Sequence, residues 1–139
     1  MIDFNFENID PIELDFDRIS DWISQIVSRE TKSLGDLTYI FCDDEYILDV
    51  NRQYLDHDYY TDIITFDYSE GGVVSGDLFI SLDTVRSNSE LFSTPFLQEL
   101  HRVIIHGVLH LCGYKDKSEE DERLMREKEN EALRFINMV

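Results

Sequence analysis

The spacing of apolar residues changes period within the first thirty positions and keeps changing along the chain, which neither an all-helical nor an all-stranded fold can accommodate. Ile2, Phe4 and Phe6 alternate with polar residues, the period of two that buries one face of a strand. From Phe16 onwards Ile19, Trp22, Ile23, Ile26 and Val27 follow the three-and-four spacing of a helix with one buried face, and Asp15, Asp17 and Asp21 suit its N-terminal half. Gly35 marks a turn over 33–36, after which the β-branched and aromatic residues of 37–42 read as a second strand. Asp43 and Asp44 can cap a helix over 45–55 with Ile47, Leu48, Val50 and Tyr54 on its apolar face, and polar 56–60 reads as a loop.

The second half repeats the alternation. Ile63, Ile64 and Phe66 are β-prone, Gly71 and Gly72 suit a hairpin turn, and 77–82 returns to strand composition. Asp83 starts a short helix. Thr94 and Pro95 have the types of a helix cap and first position, ahead of Leu97, Leu100, Val103 and Ile104, with the helix continuing to Leu111 and stopping at Gly113. Ser118, with Asp121 three residues on, starts a final helix whose buried stripe is Leu124, Met125, Ala132, Phe135 and Ile136. The pattern predicts one α+β domain over 1–139, with a mixed sheet of roughly four strands packed with several helices and a strand order left open.

Charge narrows the function. Thirty acidic residues against 12 basic ones give a formal net charge of −18 and a pI near 4.3. Duplex DNA binding without sequence preference is disfavoured, because that affinity comes from cations that displace phosphate counterions. The 42% hydrophobic and 12% aromatic content argues for a folded core rather than an acidic disordered chain. No apolar run approaches the ~20 residues of a membrane span. Two cysteines, Cys42 and Cys112, fit a soluble protein of a reducing cytoplasm.

The chemistry concentrates between His106 and Asp116. On a helix, His106 and His110 lie four residues and about 40° apart, so both imidazoles can reach one ion from one face. Gly113 lets the chain leave the helix and return Asp116 as a third ligand, and two nitrogens with one carboxylate leave a tetrahedral zinc position open for water. The alternative for the pair alone is two histidines hydrogen-bonded along a helix, and for Asp116 an exposed turn residue. The string has the spacing of the protease motif H-E-x-x-H-x-x-G-x-x-H, but Gly107 stands where that motif has its glutamate base.

The segment His106-Gly107-Val108-Leu109-His110-Leu111-Cys112-Gly113-Tyr114 resembles the signature of the YbeY family, bacterial metal-dependent endoribonucleases that act in ribosomal RNA maturation. Asn51 and Tyr54, Thr61-Asp62 ahead of Phe66, Gly76-Asp77 before Ile80-Ser81, and Glu99 with Arg102-Val103 agree in order and spacing, so the resemblance spans about residues 47 to 117. It implies a metal centre at His106, His110 and the position of Asp116, which the family fills with histidine. It also implies an arginine important for activity after Tyr54, where this chain has Leu55. Arg52 and Arg102 are the candidates to replace it as catalytic residues.

The resemblance therefore implies a zinc-dependent endoribonuclease, one Zn²⁺ per chain, specific for single strands. It would act in late 16S rRNA 3′-end maturation and small-subunit quality control, with single-stranded rRNA and the small ribosomal subunit or its proteins as partners. The alternatives are a metallohydrolase of small molecules or peptides and a non-catalytic ribosome-assembly factor. Three bases (Arg102, Lys115 and Lys117) against two acids (Glu99 and Asp116) over 96–117 predict a locally positive cleft on an acidic body. His101, Cys42 and Cys112 read as packing residues, and His57 as a loop residue or a substrate contact. Thr61 and Asp62 cap a turn or line the cleft, and Asp77 supports the metal or orders a strand.

Overall fold

A computed structural model describes residues 1–56 and 61–137. The alternating periods become β1 (Ile2–Glu7), α1 (Phe16–Arg29), β2 (Ser33–Cys42), α2 (Asp44–Leu55), β3 (Ile63–Asp67), β4 (Val73–Ser81), α3 (Leu82–Leu91), α4 (Phe96–Leu111) and α5 (Glu119–Asn137). The strand order is β1-β2-β4-β3, with β1 and β4 parallel to β2 and β3 antiparallel to β4. This is the mixed four-stranded sheet of an α+β fold. Among the described residues no helix is long and apolar enough to cross a membrane.

Strand alternation sorts the core onto two faces. Leu37, Tyr39 and Phe41 of β2 and Val74, Leu78 and Ile80 of β4 point to one face, where they meet the apolar stripes of α1, α4 and α5. On the other, Cys42, Ile64 and Phe79 receive Ile47 and Val50 of α2. Leu100, Ile104, Ile105 and Val108 of α4 are fully buried, each worth about 2 kcal/mol in apolar transfer, so the helix carrying the histidine pair is fixed in the middle of the molecule.

Several caps stand where the sequence puts them. Asp43 accepts from the Tyr46 amide at 2.9 Å, and Ser118 Oγ accepts from the Asp121 amide at 3.0 Å. Gly71 and Gly72 turn the β3–β4 hairpin with φ of +60° and +79°. Other elements differ. Residues 33–36 are strand rather than turn: the Ser33 amide bonds to the Gly72 carbonyl at 2.9 Å, and the register slips between Leu34 and Leu37. Gly35 occupies that bulge because a Cβ there would lie 2.3 Å from Ser75 Oγ and 2.9 Å from the Val74 carbonyl oxygen. Partnered by β2 and β3, β4 begins at Val73, earlier than its composition suggests. Pro95, not Thr94, is the N-cap of α4, and it makes no side-chain cap. Leu124 is exposed, since the buried face of α5 runs through Met125, Glu129, Ala132, Leu133 and Ile136. Residues 57–60 of the expected loop, including His57, lie outside the described residues.

Candidate active site

Gly107 decides which way α4 faces. A Cβ at this position would come within 2.5 Å of Leu78 Cδ2 and 2.8 Å of Ile63 Cδ1, so the helix lies on the sheet through a glycine. His106 and His110 then sit on its flank, half-buried. At the end of the helix Gly113 adopts φ +112°, and the Tyr114 hydroxyl donates to Glu30 Oε1 at 2.5 Å, tying the turn to the end of α1. The chain comes back, and Asp116 Oδ2 lies 3.6 Å from His106 Nε2. His106, His110 and Asp116 line one cavity of about 170 Å³ with Thr61, Asp62 and Thr65.

The other ring nitrogen of His106 is engaged. Nδ1 lies 2.7 Å from Glu129 Oε2 on α5, and Glu129 Oε1 accepts from Arg102 Nη1 at 2.8 Å. Arg102 Nη2 donates to Asn130 Oδ1, also at 2.8 Å. Burial works against the charged form of His106, but the hydrogen bond and charge of Glu129, followed by Asp62 and Asp116, hold its pKa above the ordinary histidine value. Burial likewise pushes Glu129 up, and the hydrogen bonds from His106 and Arg102 outweigh it and hold the carboxyl below its usual range. Glu129 thus remains a carboxylate, accepts a hydrogen bond from Nδ1–H and leaves Nε2 directed at Asp116.

These donors suit a metal ion. Ligand distances of about 2.0–2.2 Å put neighbouring donors of tetrahedral zinc roughly 3.4 Å apart, close to the 3.6 Å between His106 Nε2 and Asp116 Oδ2. A carboxylate on the far nitrogen is the usual support of a metal-bound histidine. Among the described residues no cluster of three His, Cys, Asp or Glu side chains stands at metal-ligating spacing. The close approach is that of His106 and Asp116, with His110 in the wall of the same cavity.

A second, larger cleft of about 430 Å³ shares Asp62, His106 and Asp116 with the smaller one. Its walls bring Asp62, Glu99, Asp116, Glu122 and Glu129 against Arg102 and Arg126, so the expected positive cleft is in fact acidic. The count along 96–117 missed the carboxylates that α5 and Asp62 bring to the same place. Asp62 faces both cavities, and burial raises its pKa against the opposing charge of His106. Thr61 bonds locally, its hydroxyl donating to the Ile63 carbonyl at 3.4 Å.

The remaining candidates divide clearly. Arg102 lines the large cleft with its guanidinium held by Glu129 and Asn130. Arg52 lies on α2 with Nη1 3.8 Å from Asp49 and is not among the residues lining either cavity. Leu55 is partly exposed at the end of the same helix. His101 is a core residue whose ring is tilted against Trp22 with centroids 5.6 Å apart, and burial, helped by Arg18, pushes its pKa down to about 4. Burial raises the thiols of Cys42 to about 12 and Cys112 to about 11. Asp77 accepts from the Tyr68 hydroxyl at 3.2 Å and orders the β3–β4 hairpin. Sequence reasoning missed Glu129, although its signal was present: a carboxylate in register with Met125, Ala132 and Ile136 sits on the apolar stripe of α5, where only a partnered charge is tolerated.

The model of the family described as endoribonuclease YbeY matches residues 4–137. The chain belongs to that family. A relative from Phocaeicola vulgatus, described as endoribonuclease YbeY, is 53% identical over 138 residues, covering 99% of this chain and 100% of the relative. One from Parabacteroides distasonis with the same description is 60% identical over 118 residues, covering 85% of this chain and 83% of the relative. A solution structure of a Thermotoga maritima protein superposes with a TM-score of 0.71 at 26% identity, covering 98% of this chain and 89% of that one. Family membership extends over β1 and α1, where the sequence motifs carried little.

Proposed function

We propose that this chain is a zinc-dependent endoribonuclease that cuts single-stranded RNA, with His106, His110 and Asp116 holding one Zn²⁺. Endonucleolytic cleavage of RNA phosphodiester bonds follows from membership of the endoribonuclease YbeY family. The observation that carries the metal reading is the orientation of His106, whose Nδ1 is held by Glu129 at 2.7 Å while Nε2 faces Asp116. The acidic cleft supports it, because RNA phosphate cannot approach five carboxylates and two arginines unless a cation is also present. When bound, such a metal would supply a polarised phosphoryl oxygen and a more acidic water.

The chain's own groups have separate tasks. Glu129 fixes the His106 tautomer and, with Asn130, the plane of Arg102. Arg126, 63% exposed and 4.0 Å from Glu129, retains the freedom to meet a phosphate. Asp62, whose pKa burial raises, lines both cavities, where its carboxyl would be placed to exchange a proton with the reacting water. A peptidase reading loses its base, since the glutamate position is Gly107 pressed on Leu78. The biological setting we propose is late 16S rRNA 3′-end maturation and small-subunit quality control in the cytoplasm, with ribosomal-subunit proteins delivering RNA to a body that repels it.

The test is cleavage of an unstructured RNA with and without chelator, together with metal analysis of the wild type, His110→Ala, Asp116→Ala and Asp116→His. Cleavage should stop with chelator and return with zinc. Zinc content should fall in both alanine variants and persist in Asp116→His. Equal zinc in all four proteins would overturn the ligand set, and cleavage indifferent to chelator would overturn the metal dependence.

A further inference from the structure

The turn that returns Asp116 to His106 is held at its two ends. At the far end Ser118 caps α5. At the near end the Tyr114 amide bonds to the Leu109 carbonyl at 3.1 Å, and the Tyr114 hydroxyl reaches Glu30 Oε1 at 2.5 Å. Between these anchors, residues 115–117 make no backbone hydrogen bond among the described residues, and the half-exposed Asp116 carboxylate faces His106 at 3.6 Å. Glu30 is an unexpected anchor. It is the C-cap of α1, at the negative end of the helix dipole, and its side chain is only 18% exposed. A carboxylate there is disfavoured by the dipole and by lost hydration unless it is partnered. Its partners are Tyr114 and Lys128, whose Nζ lies 3.8 Å from Glu30 Oε2 and 5.8 Å from the centre of the Tyr114 ring. The three side chains close a triangle between α1, α5 and the turn.

Lys128 and Glu129 are consecutive on α5 and so point about 100° apart. Lys128 meets the Tyr114 turn, and Glu129 holds His106 Nδ1 at 2.7 Å. One turn of α5 therefore supports both sides of the His106–Asp116 pair, one directly and the other through Glu30 and Tyr114. We propose that Tyr114, with Glu30 and Lys128 behind it, is a positioning residue that holds Asp116 at metal-ligand distance from His106. This rests on the metal reading above and adds the device that keeps its third ligand in place. A ligand on a turn without hydrogen bonds of its own would have to be ordered when the ion binds, and that entropy would be subtracted from the binding free energy. Held beforehand, Asp116 meets the ion at little further cost. The clamp acts on the metal through Asp116, because His106 has its own support in Glu129 and His110 is fixed within α4. A general contribution to stability would instead affect metal binding whichever ligands remain.

The test is a double-mutant cycle on zinc affinity in the full-length protein, measured by competition with a graded chelator. Tyr114→Phe keeps the ring and removes the hydroxyl, and it should weaken zinc binding about tenfold when Asp116 is present. In the Asp116→Ala background the same change should weaken zinc by less than about twofold, because the ligand it positions is gone. Lys128→Met leaves the Tyr114–Glu30 bond in place and should weaken zinc about threefold, again only when Asp116 is present, which gives a second reading should Tyr114→Phe fold poorly. Arg29→Gln removes a different tie between α1 and α5, the 3.2 Å pair with Glu131, and should leave zinc affinity unchanged. Unchanged affinity in Tyr114→Phe, an equal loss with and without Asp116, or a loss as large in Arg29→Gln would overturn the clamp and leave the metal site standing. Zinc affinity unchanged by Asp116→Ala would overturn the ligand set on which the clamp rests.

Discussion

Two histidines five residues apart on α4 meet opposite fates because of what packs against them. His101 is buried near Trp22, and burial with the charge of Arg18 lowers its pKa to about 4, whereas the carboxylates of Glu129, Asp62 and Asp116 act on His106. Above about pH 6.5 His101 is neutral in both folded and unfolded chains and costs nothing. As the pH falls from there towards 4, only the unfolded chain takes up the proton, and the fold loses about 1.4 kcal/mol per pH unit from this residue. His101→Phe should therefore flatten the acid limb of a stability-against-pH curve between pH 6.5 and 4.5, read from urea unfolding by Trp22 fluorescence. An identical limb in wild type and variant would show that the ring is solvated. Glu129 is the other residue on which much depends. Glu129→Gln keeps the shape but weakens the hold on His106 Nδ1, so zinc retention against a graded chelator should fall about 10- to 100-fold. Glu129→Ala also strands Arg102 and should cost about 3 kcal/mol of stability. Unchanged zinc affinity in the glutamine variant would count against its positioning role.

Among the elements, α4 sets the chemistry through what it lacks. With no side chain, Gly107 lets the helix seat against Leu78 and Ile63. Gly107→Glu, which restores the protease motif, would drive a carboxylate into that contact. It should lower stability by more than about 3 kcal/mol by urea midpoint and generate no peptidase activity, and a stable variant that hydrolyses peptides would refute the account. The helix and its two histidines were legible from periodicity and spacing, as was the turn at Gly113, because these depend on residues close in sequence. The caps at Asp43 and Ser118 were legible for the same reason. The early start of β4 was not, since pairing with 33–34 of β2 overrides local composition. The acidic lining of the cleft was not, since α5 brings Glu122 and Glu129 from outside the counted segment. Thr94 shows the limit most directly: its local sequence says helix cap, and the fold buries its hydroxyl without a partner among the described residues instead.

At the scale of the whole molecule, a net charge of −18 and an RNA substrate have to be reconciled. The acidic body repels RNA at long range, a force screened over about 10 Å at 0.1 M salt, while the cleft offers Arg102 and Arg126 as the Lys or Arg residues in its walls among the described residues. Each phosphate neutralised on a single strand contributes about −0.7 to the slope of log K against log salt. Two or three such contacts give a slope of about −1.4 to −2.1, and the screening of bulk repulsion makes it shallower still. A basic RNA-binding surface with many contacts would lie far below this. Binding of a labelled single-stranded RNA to the metal-loaded, cleavage-blocked Asp62→Asn variant between about 50 and 300 mM salt should therefore give a slope no steeper than about −2, and removing metal should cost more affinity than any such change in salt. A slope steeper than about −4 would mean that RNA lies across a surface other than this cleft. Affinity that survives metal removal would mean that the five carboxylates do not face the phosphates, and the cleft would lose its role as the binding site.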